Sequence, residues 1–175
     1  MKVALPSSGM TATGFTLLEL MVSLLVVAVL VSGAAQASRH WLPAERVTVA
    51  SNQVLGLMRQ AQLRASLHGP VLLCDGHSRC EAFDTTDRLL LADDPDGDGR
   101  AQEANIVARL QLPPDTTLSW GRFRGDALRY GQRGTLFYQN GHFLICNHRH
   151  ARSLIMNVIG TVRVAPANGD DCPSR

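Results

Sequence analysis

A single carboxylate, Glu19, stands inside Phe15–Ser38, a run of 24 residues with no other charge. An acid in a membrane-like environment costs about 2.5–3.5 kcal/mol on insertion scales, and such groups are as a rule paired and functional. Glu19 therefore calls for a cation at similar depth. The bland alternative is a glutamate near a helix end that snorkels to the interface. Four cysteines, Cys74, Cys80, Cys146 and Cys172, carry the second chemistry. In an oxidising compartment they pair before they act as nucleophiles, and three connectivities are open. The five residues between Cys74 and Cys80 suit a tight connection between strands, so Cys74–Cys80 with Cys146–Cys172 is the preferred pairing.

Two metal readings are weaker. Asp94, Asp96, Asp98 and Gly99 take positions 1, 3, 5 and 6 of a calcium loop, but position 12 is Asn105 where a bidentate Glu is required. A hairpin tip closed by Asp-Gly turns is the preferred reading there. Cys146, His148 and His150 share a parity that on a strand gives one face, yet a bridged Cys146 cannot ligate zinc. No metal or other cofactor is expected. Nor is an enzyme: the chain has no G-x-S-x-G, Walker loop, H-E-x-x-H or acid pair with a visible base.

Lys and Arg number 17 against 15 Asp and Glu, a net charge of +2 that excludes a wholesale polybasic nucleic-acid binder. The charge is nevertheless segregated. Glu81–Glu103 holds eight acids against two arginines, and Ser119–Arg163 holds seven arginines against Asp126. Arg122, Arg124, Arg149, Arg152 and Arg163, beside Trp120, Phe123 and Tyr130, are candidates for a phosphate-tracking face. Ordinary solvated arginines, or contacts to neighbouring subunits, explain the same pattern.

The elements that must position these groups follow from periodicity. At 175 residues the chain has room for one globular unit. A helix over Phe15–Ser38 would span about 36 Å at about 1.5 Å per residue, enough for a bilayer core of about 30 Å. Three readings compete: a secretory signal cleaved at Ala35-Gln36-Ala37, an unprocessed anchor, or a leader removed ahead of Phe15. Beyond Ser38 the helical pattern continues, now amphipathic. Val47, Ala50, Val54, Leu57, Met58, Ala61 and Ala65 form one stripe, with Arg46, Asn52, Gln53, Arg59, Gln60 and Arg64 opposite. His68-Gly69-Pro70 ends the helix. Short strands are predicted after it: Val71–Cys74, Cys80–Phe83, Arg88–Ala92, Ile106–Leu112, Thr116–Trp120, Ala127–Tyr130, Thr135–Gln139, His142–Asn147, Arg152–Asn157 and Thr161–Ala165. Asn140-Gly141 is the strongest hairpin signal.

Gly14-Phe15-Thr16-Leu17-Leu18-Glu19-Leu20, followed by the apolar run, resembles the class III signal of type IV pilins and type II secretion pseudopilins. The resemblance implies that a prepilin peptidase cuts between Gly14 and Phe15 and methylates the new Phe15 amine. That amine on one subunit and Glu19 on the next would then pair in hydrocarbon and set helix register in a filament. Thr13 stands where the family usually has a basic residue. Gln62–His68 with the strand after it, the Asp-rich turn, Asn140–Cys146 and Gly160–Val164 further resemble the GspH/FimT branch.

This implies an α+β, type IV pilin-like fold. Its parts would be a leader over 1–14, a transmembrane or filament-core helix half over 15–38, an amphipathic half over 39–68, and a periplasmic β-rich head over 70–175. The resemblance implies a minor pilin-like subunit of the bacterial inner membrane, single-pass, later moved into a filament. Its partners would be other pilins or pseudopilins, the prepilin peptidase, the inner-membrane assembly platform and the inner membrane itself. An H-type pseudopilin of a type II secretion system is the alternative, and a DNA receptor for transformation is the second. DNA-uptake relatives carry Gly-Arg-x-Arg near the C-terminal strand, where this chain has Gly160-Thr161-Val162-Arg163. A literal Gly-Arg-Phe-Arg occurs at Gly121–Arg124 instead.

Overall fold

The computed structural model describes residues 16–173 apart from 78, 82, 84, 124 and 138, with the backbone alone over 34–40. Its first element is α1 (Leu17–His68), and two compact units meet between Arg39 and His40. In the first unit every described side chain is exposed, with Leu17, Leu25 and Leu30 each at least 66% accessible. Among the described residues no helix is long and apolar enough to cross a membrane. Of the stretch expected to span, 15–38, residue 15 lies outside the described residues and 34–38 are described by backbone alone.

The second unit holds eight strands: β1 (Val71–Asp75), β2 (Arg88–Asp93), β3 (Ile106–Gln111), β4 (Thr117–Gly121), β5 (Ala127–Tyr130), β6 (Gly141–Asn147), β7 (His150–Met156) and β8 (Val162–Ala167). They form two four-stranded antiparallel sheets, β3-β2-β1-β5 and β4-β6-β7-β8. A bridge between Thr86 and Leu118 joins them. All seven residues of the helical stripe read from periodicity are buried, and they pack with Leu73, Leu91, Leu128, Phe143, Ile145 and Leu154 in one core. Gly69, at φ +111°, ends the helix with its amide donating to the Ala65 carbonyl, as a glycine at this position does. Arg64 clamps that end to the first sheet through Asp93, with its Nε and Nη2 at 2.6 and 2.8 Å from the two carboxylate oxygens.

Strand β1 is buried at every position. The reason is that the first sheet is covered twice: Val71 and Leu73 face the helix, while Leu72 and Cys74 join a second cluster with Cys80, Leu90, Ala92, Ala101 and Ala127. A strand dry on both faces reads as a continuous apolar run and loses its alternation.

Three expectations are corrected. The described residues of Cys80–Phe83 form no strand: Arg79 and Cys80 sit at φ +52° and +70°, a left-handed pair that breaks extended backbone. The turn sends Phe83 onto Trp120, ring centroids 4.1 Å apart and nearly parallel, in a cluster with Phe123 and Phe143. Among its described residues, Thr135–Gln139 forms no strand but an isolated bridge between Leu136 and Tyr130, with the Phe137 amide donating to the Arg129 carbonyl. There the Gln139 side chain does the work of a strand backbone: its Oε1 accepts from the Arg129 amide and its Nε2 donates to the Ala127 carbonyl, both at 2.8 Å. The edge of β5 is thereby covered without a neighbouring strand. Asn140-Gly141 is not a hairpin but the crossing from one sheet to the other. Gly141 is required by close approach, since a Cβ there would lie 2.5 Å from the Gly121 carbonyl oxygen and 2.8 Å from the Phe123 ring. The tight hairpin is instead β6–β7, turning through His148 at φ +53° and Arg149.

Candidate assembly site and surface clusters

Thr16 opens α1. Its side-chain oxygen accepts from the Glu19 amide at 3.3 Å, and its carbonyl accepts from the Leu20 amide at 3.2 Å. Thr16 is thus the N-cap, and Thr16-Leu17-Leu18-Glu19 has the spacing of a capping box. This role was missed in the sequence, although a Thr three residues ahead of a Glu and before an apolar run is its usual signal. The capping places Glu19 in the first turn of the helix, where its negative charge meets the positive end of the macrodipole. Its side chain is exposed and has no partner among the described residues. A second chain's cation therefore has access to it. Gly14 and Phe15, the expected cleavage pair, lie outside the described residues.

The four cysteines pair as Cys74–Cys80 and Cys146–Cys172. The first bridge closes the loop that covers the second cluster. The second ties the tail, through its 3-10 turn Gly169–Asp171, across the β6–β7 hairpin. Contact there is tight: a Cβ on Gly169 would collide with the Arg149 carbonyl oxygen. With Cys146 bridged and His148 in the turn, the Cys146, His148 and His150 set has no common face for zinc.

The carboxylates of Asp94, Asp96 and Asp98 lie within 4.8 Å of one another. Each is engaged in its own turn: Asp94 accepts from the Gly99 amide, Asp98 from the Arg100 amide, and Asp96 from Gln102. Burial raises the pKa of Asp94, with Asp98 and Asp96 adding to it and Arg129 opposing. The guanidinium of Arg129 packs against Gly99, so a cation of the chain's own already sits beside this turn. Asn105, at the position of the missing ligand, ends the 3-10 turn Glu103–Asn105. Acids of this region are partnered elsewhere too: His77 and Gln111 hold the carboxyl of Asp87 below its usual range.

The described arginines of the basic segment do not all share a face. Arg152 pairs across β7 and β8 with Pro166, whereas Arg163 pairs with Ile155, three residues further along β7. Strand alternation puts Arg152 and Arg163 on opposite sides of the sheet. Arg122 follows the end of β4 beside the start of β6, and Arg149 lies in the turn at the other end of β6. Arg124 lies outside the described residues.

Residues 50–160 match the family described as Type II transport protein GspH, and residues 10–35 match the prokaryotic N-terminal methylation motif. The chain belongs to the GspH family. Two crystal forms of the type IV minor pilin FimU from Pseudomonas aeruginosa (strain PAO1) share its fold, with TM-scores of 0.55 and 0.54 at 14% identity. These alignments cover 74% and 72% of this chain and 93% and 96% of FimU. No curated protein sequence matches the chain. As a GspH-family member with the methylation motif and a pilin fold, the protein is a minor pilin-like subunit.

Proposed function

We propose that this protein is a minor type IV pilin, processed between Gly14 and Phe15, held in the inner membrane by the apolar helix half, and then drawn into a pilus at or near its tip. The observation that carries the reading is the conjunction of Glu19 in the first helical turn with an all-round exposed apolar surface from Leu17 to Val31. That much exposed aliphatic surface has to be covered by lipid or by other helices of its kind. An acid at the head of the helix supplies register when a neighbour's new amine comes to lie beside it. The stapled β-head supplies contacts to partners.

The second reading is the H-type pseudopilin of a type II secretion system, which the family description favours directly. Both use the same anchor and the same fold, and differ in the machine that pulls. A DNA receptor would need its arginines on one track, and the opposed faces of Arg152 and Arg163 work against that. The test is incorporation in the native host. Glu19→Ala is expected to leave the protein in the membrane fraction while removing it from sheared filaments, and deletion of the protein to reduce piliation. Normal filament incorporation of Glu19→Ala would refute the proposed role of the acid. Normal piliation with lost exoprotein secretion would move the protein to the secretion machine.

A further inference from the structure

The second sheet has an outer face, turned away from the helical stripe Val47–Ala65, that the core does not use. On it lies a groove of about 740 Å³. Leu144 and Ser153, opposite one another on β6 and β7, form its floor with Ile155 and Ala167. Leu144 and Ser153 are each only 9% exposed, although they point away from the core. One end holds Arg122 and His142, and the His142 ring lies over Gly121, where a Cβ would come within 2.6 Å of it. The other end is walled by the disulfide-tied tail, which contributes Asn168 and Asp171.

Two features point to a ligand. No hydrogen bond or ion pair to another described residue engages the side chains of Arg122, His142, Ser153 or Asp171, and all four line the same groove. Convergent polar groups above an apolar floor mark a binding site better than either alone. The groove is also electrically polarised, cationic at Arg122 and anionic at Asp171. Along β6, His142 to Cys146 measures about 13 Å, the length of about four extended residues. The floor is aliphatic, with no aromatic ring on which a sugar could stack, and it suits small aliphatic side chains.

We propose that this groove binds an extended peptide segment from a partner protein. An acidic side chain of the segment would lie at Arg122 and His142, aliphatic side chains over Leu144 and Ile155, and a basic group at Asp171. Arg122 gives the acid a two-pronged partner, and Ser153 serves the segment's backbone. The site stands whether the subunit serves a pilus or a secretion pseudopilus, so its test is separate from the assembly test.

The experiment uses the full chain in detergent micelles and calorimetry with the end-capped tetrapeptide Asp-Leu-Ala-Lys. Binding is expected, weakened about tenfold or more by replacing the peptide's Asp with Asn, as loss of a charge-assisted contact implies. Arg122→Gly keeps the left-handed backbone at φ +65° and removes the cation. It is expected to bind the Asp and Asn peptides alike. Ser153→Leu, which fills the floor, is expected to abolish binding with thermal unfolding little changed. Absence of peptide binding, binding indifferent to both variants, or binding of maltotetraose in place of the peptide would overturn the proposal.

Discussion

The clamp between Arg64 and Asp93 is the most direct test of how the helix is held on the first sheet. Both charged hydrogen bonds are short, 2.6 and 2.8 Å, and the side chains are only about a third exposed, at 32% and 30%. A fully exposed ion pair contributes about 0.2–1 kcal/mol. A bidentate, charge-assisted pair with partial burial contributes more, and the coupling expected here is about 1–2 kcal/mol. The perturbation is a double-mutant cycle of Arg64→Ala and Asp93→Asn, read by urea unfolding of the full chain in micelles. Acidity supplies an internal control. The hydrogen bond from Arg64 holds the Asp93 carboxyl below its usual range, against an opposing push from burial. The folded state thus binds the proton less readily than the unfolded state. The stabilisation is complete above the unfolded carboxyl value of about 3.9 and disappears as pH falls through the lower folded one. Arg64→Ala should therefore flatten the acid limb of the stability profile. A coupling below about 0.3 kcal/mol at pH 7, the usual additivity error, would refute the clamp. So would a coupling that persists unchanged at pH 2.

Glycine replacements separate strain from crowding. Gly134 has φ +66° and a Cβ position 2.9 Å from the Gln62 carbonyl oxygen, whereas Gly97 has φ +72° and open space. Gly97→Ala should cost about 1–2 kcal/mol from backbone conformation, and Gly134→Ala about 1–3 kcal/mol more, measured by unfolding midpoints. Equal costs would contradict the packing described at Gln62. Replacing Cys146 and Cys172 together by Ser should cost about 3.5 kcal/mol on the chain-entropy estimate and expose the tail to limited proteolysis. Asp94→Asn keeps an acceptor for the Gly99 amide and removes a charge whose pKa burial raises. An acid whose folded pKa is raised stabilises below its unfolded value and costs stability above the folded one, so this variant should raise the melting temperature at pH 7 and change it little at pH 3.

How far the sequence could be read depended on whether a feature was periodic or tertiary. The helical stripe from Val47 to Ala65 was legible because one buried face imposes its own spacing, and all seven residues lie in the core. The Gly69 stop was legible because its cause is local. Cys80–Phe83 misled because a disulfide loop with two left-handed residues looks extended in composition alone. Thr135–Gln139 misled because a glutamine side chain stands in for a strand backbone, a substitution that no period reports. At the candidate sites the same division holds. The Glu19 and glycine-phenylalanine pattern is a short contiguous motif, and the Thr16 cap beside it had a contiguous signal that was passed over. The outer groove draws on β6, β7, β8 and the tail, so only the strand register brings its residues together. The arginines show the reverse case: segregated along the chain, they are split between faces by that same register.

In the proposed function the mature chain starts at Phe15, with Glu19 placed to receive a neighbour's amine. The intact mass of the protein purified from host membranes tests it most directly. The expected species begins at Phe15, carries one added methyl group and has lost two hydrogens for each disulfide. A mass that still includes Met1–Gly14, or one that begins after Ala37, would contradict it.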